Sequence, residues 1–158
     1  MNTETVRIAD QLRRAFAGEA WHGPPLRELL NGVTAVDAVA RPLVSGHTIW
    51  ELVLHMEAYV AAAVEAAEGG VMPKVYGTPQ DWRLVPEAGE KAWVRAVEVL
   101  FTGAERLAVA IERFSDERLA DIVPGREYSF YQLFHGVVQH SLFHGGQIAM
   151  LKRAVKAG

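Results

Sequence analysis

Apolar residues recur at the spacing of an α-helix in four long segments of the chain. These segments are residues 4–16, the stretch from Thr48 to the glycine pair 69–70, residues from about 90 to 114, and the stretch from Ser129 to about 155. Strands would show alternating apolar and polar residues, and no segment does so convincingly. The pattern therefore predicts an all-α protein with four long helices.

Capping residues mark the starts of two of these helices. Thr48 and Glu51 are three positions apart at the start of an apolar run, and Ser129 and Gln132 have the same spacing. In such a capping box the hydroxyl accepts from a backbone N–H of the first turn, while the longer side chain reaches back to the cap. We therefore predict that the second and fourth long helices begin directly after these two hydroxyl residues.

The connections contain short helical elements and one long loop. Pro24–Pro25 begins a short helix that Asn31–Gly32 ends, and Thr34 with Asp37 predicts a further helical turn. The segment 70–86 contains three prolines and two glycines and is predicted to be a loop. Loops of this length in a compact domain are often functional.

Together these elements predict a four-helix bundle with short extra helices in its connections, formed by a single domain over residues 1–158. The first connection is long and partly helical, which favours a crossover between the first two long helices over a hairpin. Half of the residues are hydrophobic, which is enough for one core.

Composition narrows the class of function. Sixteen basic and 19 acidic residues give a net charge of -3, and without a long basic stretch we expect no nucleic-acid partner. The chain has no cysteine, which excludes disulfides, thiolate metal ligands and a cysteine nucleophile. It has no apolar signal-peptide core and no run of about 18 apolar residues that would span a membrane. We expect a cytoplasmic protein that does not associate with membranes.

Two histidines late in the chain have the spacing of a metal-binding pair. His140 and His144 are four residues apart, which places them about 40° apart on one face of a helix. Two imidazoles so placed can bind one metal ion. His135 points about 140° away from His140 and is excluded by the same geometry. Gln147 shares the face of the pair, and its amide is predicted to hold a bound water or a substrate atom.

A third ligand is expected from another helix of the bundle. His55 lies in the middle of the second long helix among apolar residues, where an unpaired polar side chain would cost free energy. Three neutral imidazoles would leave coordination positions open, as in a catalytic rather than a structural metal site. The alternative is a set of core histidines bonded to backbone carbonyls, because a pair with this spacing also arises by chance.

No general base stands within the histidine motif. His140 is followed by Ser141, so the glutamate of the zinc-protease motif HExxH is absent. Glu51 is already explained by its capping role, and Ser141 is expected to pack rather than to act as a nucleophile.

Two segments resemble the signatures of a known family. Residues 46–55, GHTIWELVLH, resemble the second-helix signature of the DinB/YfiT-like metalloenzymes. Residues 136–148, GVVQHSLFHGGQI, resemble the last-helix signature of that family, H-x-x-x-H-x-x-Q-I. Residues 20–24 and 123–125 are also similar to one branch of the family. The likeness therefore covers nearly the whole chain.

The resemblance implies a four-helix bundle of up-up-down-down connectivity in which His55, His140 and His144 bind a divalent ion. Nickel or zinc is favoured, with iron and manganese as alternatives, and homodimers are common in such families. Characterised relatives include transferases and isomerases that use a low-molecular-weight thiol, which the metal activates. Many members have an arginine after the second histidine of the pair. Gly145 stands here, so a contact to an anionic substrate is expected to be missing.

The residues leave several functions open. A metal-dependent transferase or hydrolase would activate a water or an external thiol against a small-molecule substrate. In that case Gln147 and His22 would orient the substrate, and Tyr76 and Trp82 would line the mouth of the site. The simpler interpretation is that His22 caps its own turn and that the two aromatic residues anchor the loop to the core.

A non-catalytic metal-binding or ligand-binding helical dimer, of the stress-associated kind, would use the same residues without turnover. The lack of an acid–base residue favours it somewhat. A dimeric helical protein with satisfied core histidines is the third possibility.

Overall fold

The computed structural model describes residues 3–85 and 89–157. Within them the protein is all-α apart from an isolated bridge between Ile122 and Ser129, and a 3-10 turn comprises Asp116–Arg118. The predicted four-helix bundle with short extra helices in its connections is confirmed. The α-helices are α1 (Glu4–Phe16), α2 (Leu26–Leu30), α3 (Ala35–Val39), α4 (Ile49–Ala67), α5 (Glu90–Glu112) and α6 (Phe130–Ala157).

The predicted capping boxes are present at the starts of α4 and α6. Thr48 Oγ1 accepts from the Glu51 N–H at 3.2 Å, and Glu51 Oε2 accepts from the Thr48 N–H at 2.8 Å. Ser129 and Gln132 exchange the equivalent pair of bonds at 3.3 and 2.9 Å. Glu51 also accepts from the Arg41 guanidinium at 2.6 Å, so its carboxylate is occupied at the helix end.

Helices α4 and α5 are neighbours that run in the same direction. Near their starts the rings of Trp50 and Trp93 lie 5.3 Å apart, and near their ends Arg106 Nε donates to Glu68 at 2.8 Å. Parallel neighbours cannot be joined by a short turn, so the chain must return along the bundle after α4, and residues 68–85 do so. Because α4 is about 28 Å long at 1.5 Å per residue, a segment of this length is sufficient.

Helix α1 runs antiparallel to α5. Asp116, just beyond the end of α5, accepts from the backbone N–H groups of Glu4 and Thr5 at 2.8 and 3.0 Å. At the other end of α1, Arg13 pairs with Glu105 at 2.8 Å. These contacts attach both ends of the shortest long helix to α5.

Helix α6 runs antiparallel to α4. The ring of His55 packs against His144, whereas the ring of Tyr59, one turn later in α4, packs against His140, one turn earlier in α6. The residue before α6, Tyr128, in turn contacts Met72, which follows the end of α4. The observed order of directions is therefore up-down-down-up, in contrast to the up-up-down-down order that the resemblance implied. The difference arises because residues 68–85 cross back along α4, so that α4 and α5 are parallel neighbours.

The path of this crossing can be followed residue by residue. Tyr128, just before α6, donates to Met72 Sδ at 3.3 Å. Asp81 then lies beside α4, where its carboxylate accepts from the Tyr59 hydroxyl at 3.2 Å. Further along, Arg83 donates to the Leu54 carbonyl at 2.8 Å. The loop thus runs back over α4 on the side that faces α6.

The core of the bundle lies between the four long helices and is almost entirely apolar. None of the described helices is both long and apolar enough to cross a membrane. The largest fully buried side chains are those of Trp50, Phe134, Ile8, Leu12, Ile49, Leu52, Met56, Leu100, Leu107, Ile111, Ile148 and Val53.

Replacing Thr48 by alanine should lower the free energy of unfolding by about 1 kcal/mol relative to Thr48→Ser. Both substitutions remove the threonine methyl group, but only the alanine removes the hydroxyl that caps α4. Urea unfolding of the two variants measures the difference. Equal stabilities would contradict a role for the hydroxyl in holding the start of the helix.

Candidate metal centre

The bundle brings the imidazoles of His55, His140 and His144 together between α4 and α6. The Nε2 atom of His140 lies 3.0 Å from the Nε2 atoms of both other rings. The ligand atoms of all three lie within 4.8 Å of one another. His135 lies outside this cluster and packs against Tyr131, with ring centroids 4.4 Å apart. The argument from helical phase therefore predicted correctly that His140 and His144 point to one place and that His135 does not.

The outer nitrogens of two rings are held by oxygen acceptors. His55 Nδ1 lies 2.8 Å from the backbone oxygen of Asp81, and His144 Nδ1 lies 2.6 Å from Gln147 Oε1. A carbonyl or amide oxygen can only accept, so both Nδ1 atoms carry the proton. A neutral imidazole has one N–H, and both rings therefore present an unprotonated Nε2 to the centre.

The centre has more acceptors than protons. His140 can donate one Nε2–H to one neighbour, which leaves the Nε2 lone pair of the other neighbour, also 3.0 Å away, without a donor. Burying an unsatisfied acceptor costs free energy. Three nitrogen lone pairs that converge in this way are the donor set of a divalent transition-metal ion, so the residues fit the metal that the sequence predicts.

Burial keeps the three rings neutral. Burial, and then the neighbouring His144 and His55, lower the pKa of His140 to about 3. Burial also lowers the pKa values of His55 and His144. Metal ligation needs the unprotonated ring, so none of the three has to lose a proton near neutral pH.

Asp81 is a site residue that the sequence analysis missed. Its buried carboxylate lies 3.2 Å from His55 Nδ1 and accepts from the Tyr59 hydroxyl at 3.2 Å and from the Gly77 N–H at 3.0 Å. Burial, and then the nearby Asp81 charge, raise the pKa of Tyr59 to about 12, so its phenol stays protonated. A carboxylate behind a ligand histidine orients the ring and increases its basicity.

Trp82 covers one face of the cluster. Its ring stacks on His55 with centroids 3.9 Å apart and planes 8° apart, and on its other side it stacks on His47 at 3.4 Å and 2°. Trp82 therefore lies against the site and also fastens the loop to the start of α4. Tyr76, the other aromatic residue named for the mouth, is exposed.

The remaining predicted residues are placed as follows. Gln147 uses Oε1 to hold His144, and its predicted contact with a water or substrate stays a prediction. His22 is exposed in the turn before α2, and its substrate role also stays a prediction. Ser141 donates to the Val137 carbonyl at 2.8 Å, which confirms that it packs within α6.

Comparison with known proteins places this arrangement in a family. No curated protein matches the chain. The crystal structure of a conserved protein from Enterococcus faecalis has the same fold, with a TM-score of 0.70 and 12% identity over 98% of this chain and 96% of that one. The sequence profile of the DinB superfamily matches residues 20–148, which include all three histidines. The chain therefore belongs to the DinB superfamily.

Proposed function

We propose that this protein is a metal-dependent enzyme of the thiol-transferase or hydrolase type. Its ligands are His55, His140 and His144, and nickel or zinc is the favoured ion. The observation that supports this most strongly is the convergence of three Nε2 atoms, two of them deprotonated because their Nδ1–H groups are bound elsewhere. A set of three neutral imidazoles leaves coordination positions for a water, a thiol or a substrate.

A divalent ion at such a site lowers the pKa of a bound water or thiol and so supplies a nucleophile near neutral pH. The chain has no cysteine, so a thiol nucleophile would come from a small cosubstrate. The protein's own groups then have positioning roles. Asp81 and Gln147 orient two of the ligand rings, and Trp82 shields the face of His55 from water. A homodimer in the cytoplasm is part of the same proposal.

A non-catalytic metal-binding module is the second candidate, and one observation favours it. Asp81 is the carboxylate found beside the ligand rings, and it is engaged by Tyr59, Gly77 and His55. It therefore orients the site and is not placed as an acid or base towards a substrate. Metal-dependent turnover decides between the two candidates.

Metal content tests the ligand set. Protein purified without a histidine tag should bind one divalent ion per chain, and His140→Ala should bind none. At 100 times the Kd, free zinc or nickel should stabilise the wild type by about 2.7 kcal/mol. His135→Ala, on the same helix but outside the cluster, is the matched control and should keep both properties.

The metal-free proteins separate ligation from a structural role. Removing His140 takes away at most the one hydrogen bond that the metal-free cluster can form, so the metal-free His140→Ala protein should lose little stability. A large loss without metal, together with no gain on adding zinc or nickel, would identify these histidines as ordinary core residues.

Asp81→Asn tests the residue behind His55. Loss of the negative charge should weaken metal binding by about 10-fold, the lower end of the effect of removing such an outer partner. The Asp81 backbone carbonyl still holds His55 Nδ1, so the ligand set remains. Asp121→Asn makes the same charge change at an exposed position and should leave the affinity unchanged. Competition with a chromogenic chelator measures the metal affinity of each variant. Equal affinities of Asp81→Asn and the wild type would exclude a role for the Asp81 carboxylate.

Catalysis is tested on protein loaded with zinc or nickel. One assay combines common low-molecular-weight thiols with electrophiles, and a second assay offers activated esters for hydrolysis. The expected result is turnover that disappears in metal-free protein and in His144→Ala. If metal binds but no thiol or ester is turned over, the non-catalytic module becomes the better account.

A further inference from the structure

A cavity of about 420 Å³ opens beside His140. Its volume lies within the range of about 300–1,000 Å³ that small-molecule sites occupy. The lining residues come from α4, from α6 with the turn before it, and from the loop 68–89. They are Tyr59, Met72, Tyr128, Gln132, Leu133, Gly136, Val137 and His140.

The walls of this cavity are mostly apolar and carry no Lys, Arg, Asp or Glu among the described residues. Met72, Leu133 and Val137 are buried aliphatic or thioether side chains. The tyrosine hydroxyls are already engaged, since Tyr59 donates to Asp81 and Tyr128 donates to the sulfur of Met72. A charged group that entered would lose its hydration without gaining an ionic partner.

The cavity is held open by rigid elements. Most of its lining residues belong to α4 and α6, and the loop wall is anchored by Arg126, which donates to the carbonyls of Met72 and Pro73 at 2.9 and 2.6 Å. Gly136 faces open space, because a Cβ there would meet no atom within 4 Å. Glycine is a poor residue for the interior of a helix, and here it leaves room in the cavity.

We propose that this cavity binds an uncharged aromatic group of the substrate. The two tyrosine rings and the Met72 sulfur are favourable neighbours for an aromatic ring, and the absence of charged walls selects a neutral one. His140 belongs both to the cavity and to the three-histidine cluster. The reacting group of a bound molecule is therefore turned towards the candidate metal centre, a point that rests on the proposed function.

Methyl resonances of methionine report binding directly. With ¹³C-methyl methionine the wild type carries a probe in the wall, Met72, and two internal controls, buried Met56 and exposed Met150. Benzyl alcohol should shift the Met72 signal saturably and leave both controls in place. Benzoate and benzylamine, charged molecules of similar size, should bind at least tenfold more weakly.

Two glycine variants locate the binding site. Gly136→Leu fills the cavity from a position where a side chain meets no obstacle, and it should weaken benzyl alcohol binding at least tenfold. Gly146→Leu adds the same side chain to α6 at another open position outside the cavity, and it should bind as the wild type does. If Gly136→Leu does not fold, the comparison of neutral and charged probes on the wild type decides alone.

Metal uptake, measured separately on each protein, keeps the two proposals distinguishable. The cavity proposal would be overturned if folded Gly136→Leu binds benzyl alcohol as tightly as the wild type does. It would also be overturned if the charged probes bind the wild type as tightly as benzyl alcohol, even where metal binds normally. Absence of metal in the wild type would instead overturn the proposed function. The Met72 titration would still report on the cavity.

Discussion

Two neighbouring helices of the bundle, α4 and α5, run in the same direction, and the chain can join them only by travelling back along the bundle. The returning segment, residues 68–85, crosses the face where α4 meets α6. It carries Met72 to the cavity wall, Asp81 to the back of His55 and Trp82 onto the ring of His55. The direction of one helix thus determines what surrounds the candidate metal centre.

The three-histidine cluster depends on this surrounding structure as much as on its own spacing. Each outer bond, from His55 to Asp81 and from His144 to Gln147, turns an Nε2 lone pair towards the same point. The resulting excess of acceptors is unfavourable in a buried place, and an ion bound there would remove that penalty. Binding of the proposed ion would therefore also stabilise the fold.

Sequence reasoning succeeded where the determining interactions are local. The hydroxyls of Thr48 and Ser129 act within one helical turn, so the starts of α4 and α6 could be predicted from spacing alone. The pair His140 and His144 follows from helical phase in the same way. The third histidine was found because a polar residue in an apolar helix needs a partner.

The missed features are those that depend on the path of a loop. Asp81 is 26 residues from His55 along the chain, and its position has no periodic pattern that could reveal it. The order of helix directions was misjudged for the same reason, since neither capping residues nor apolar spacing indicates which way a long connection returns. The cavity beside His140 combines residues from three separate segments and was not predicted.

The candidate metal ligands and the loop around them belong to different parts of the architecture. Two helices of the bundle provide the imidazoles, whereas residues 68–85 contribute a cavity wall and the cover over His55 but none of the three imidazoles. Substitutions within that segment can alter which molecules enter while the donor atoms stay in place. A fold divided in this way allows specificity to diverge between descendants of one ancestor without the metal chemistry having to arise anew.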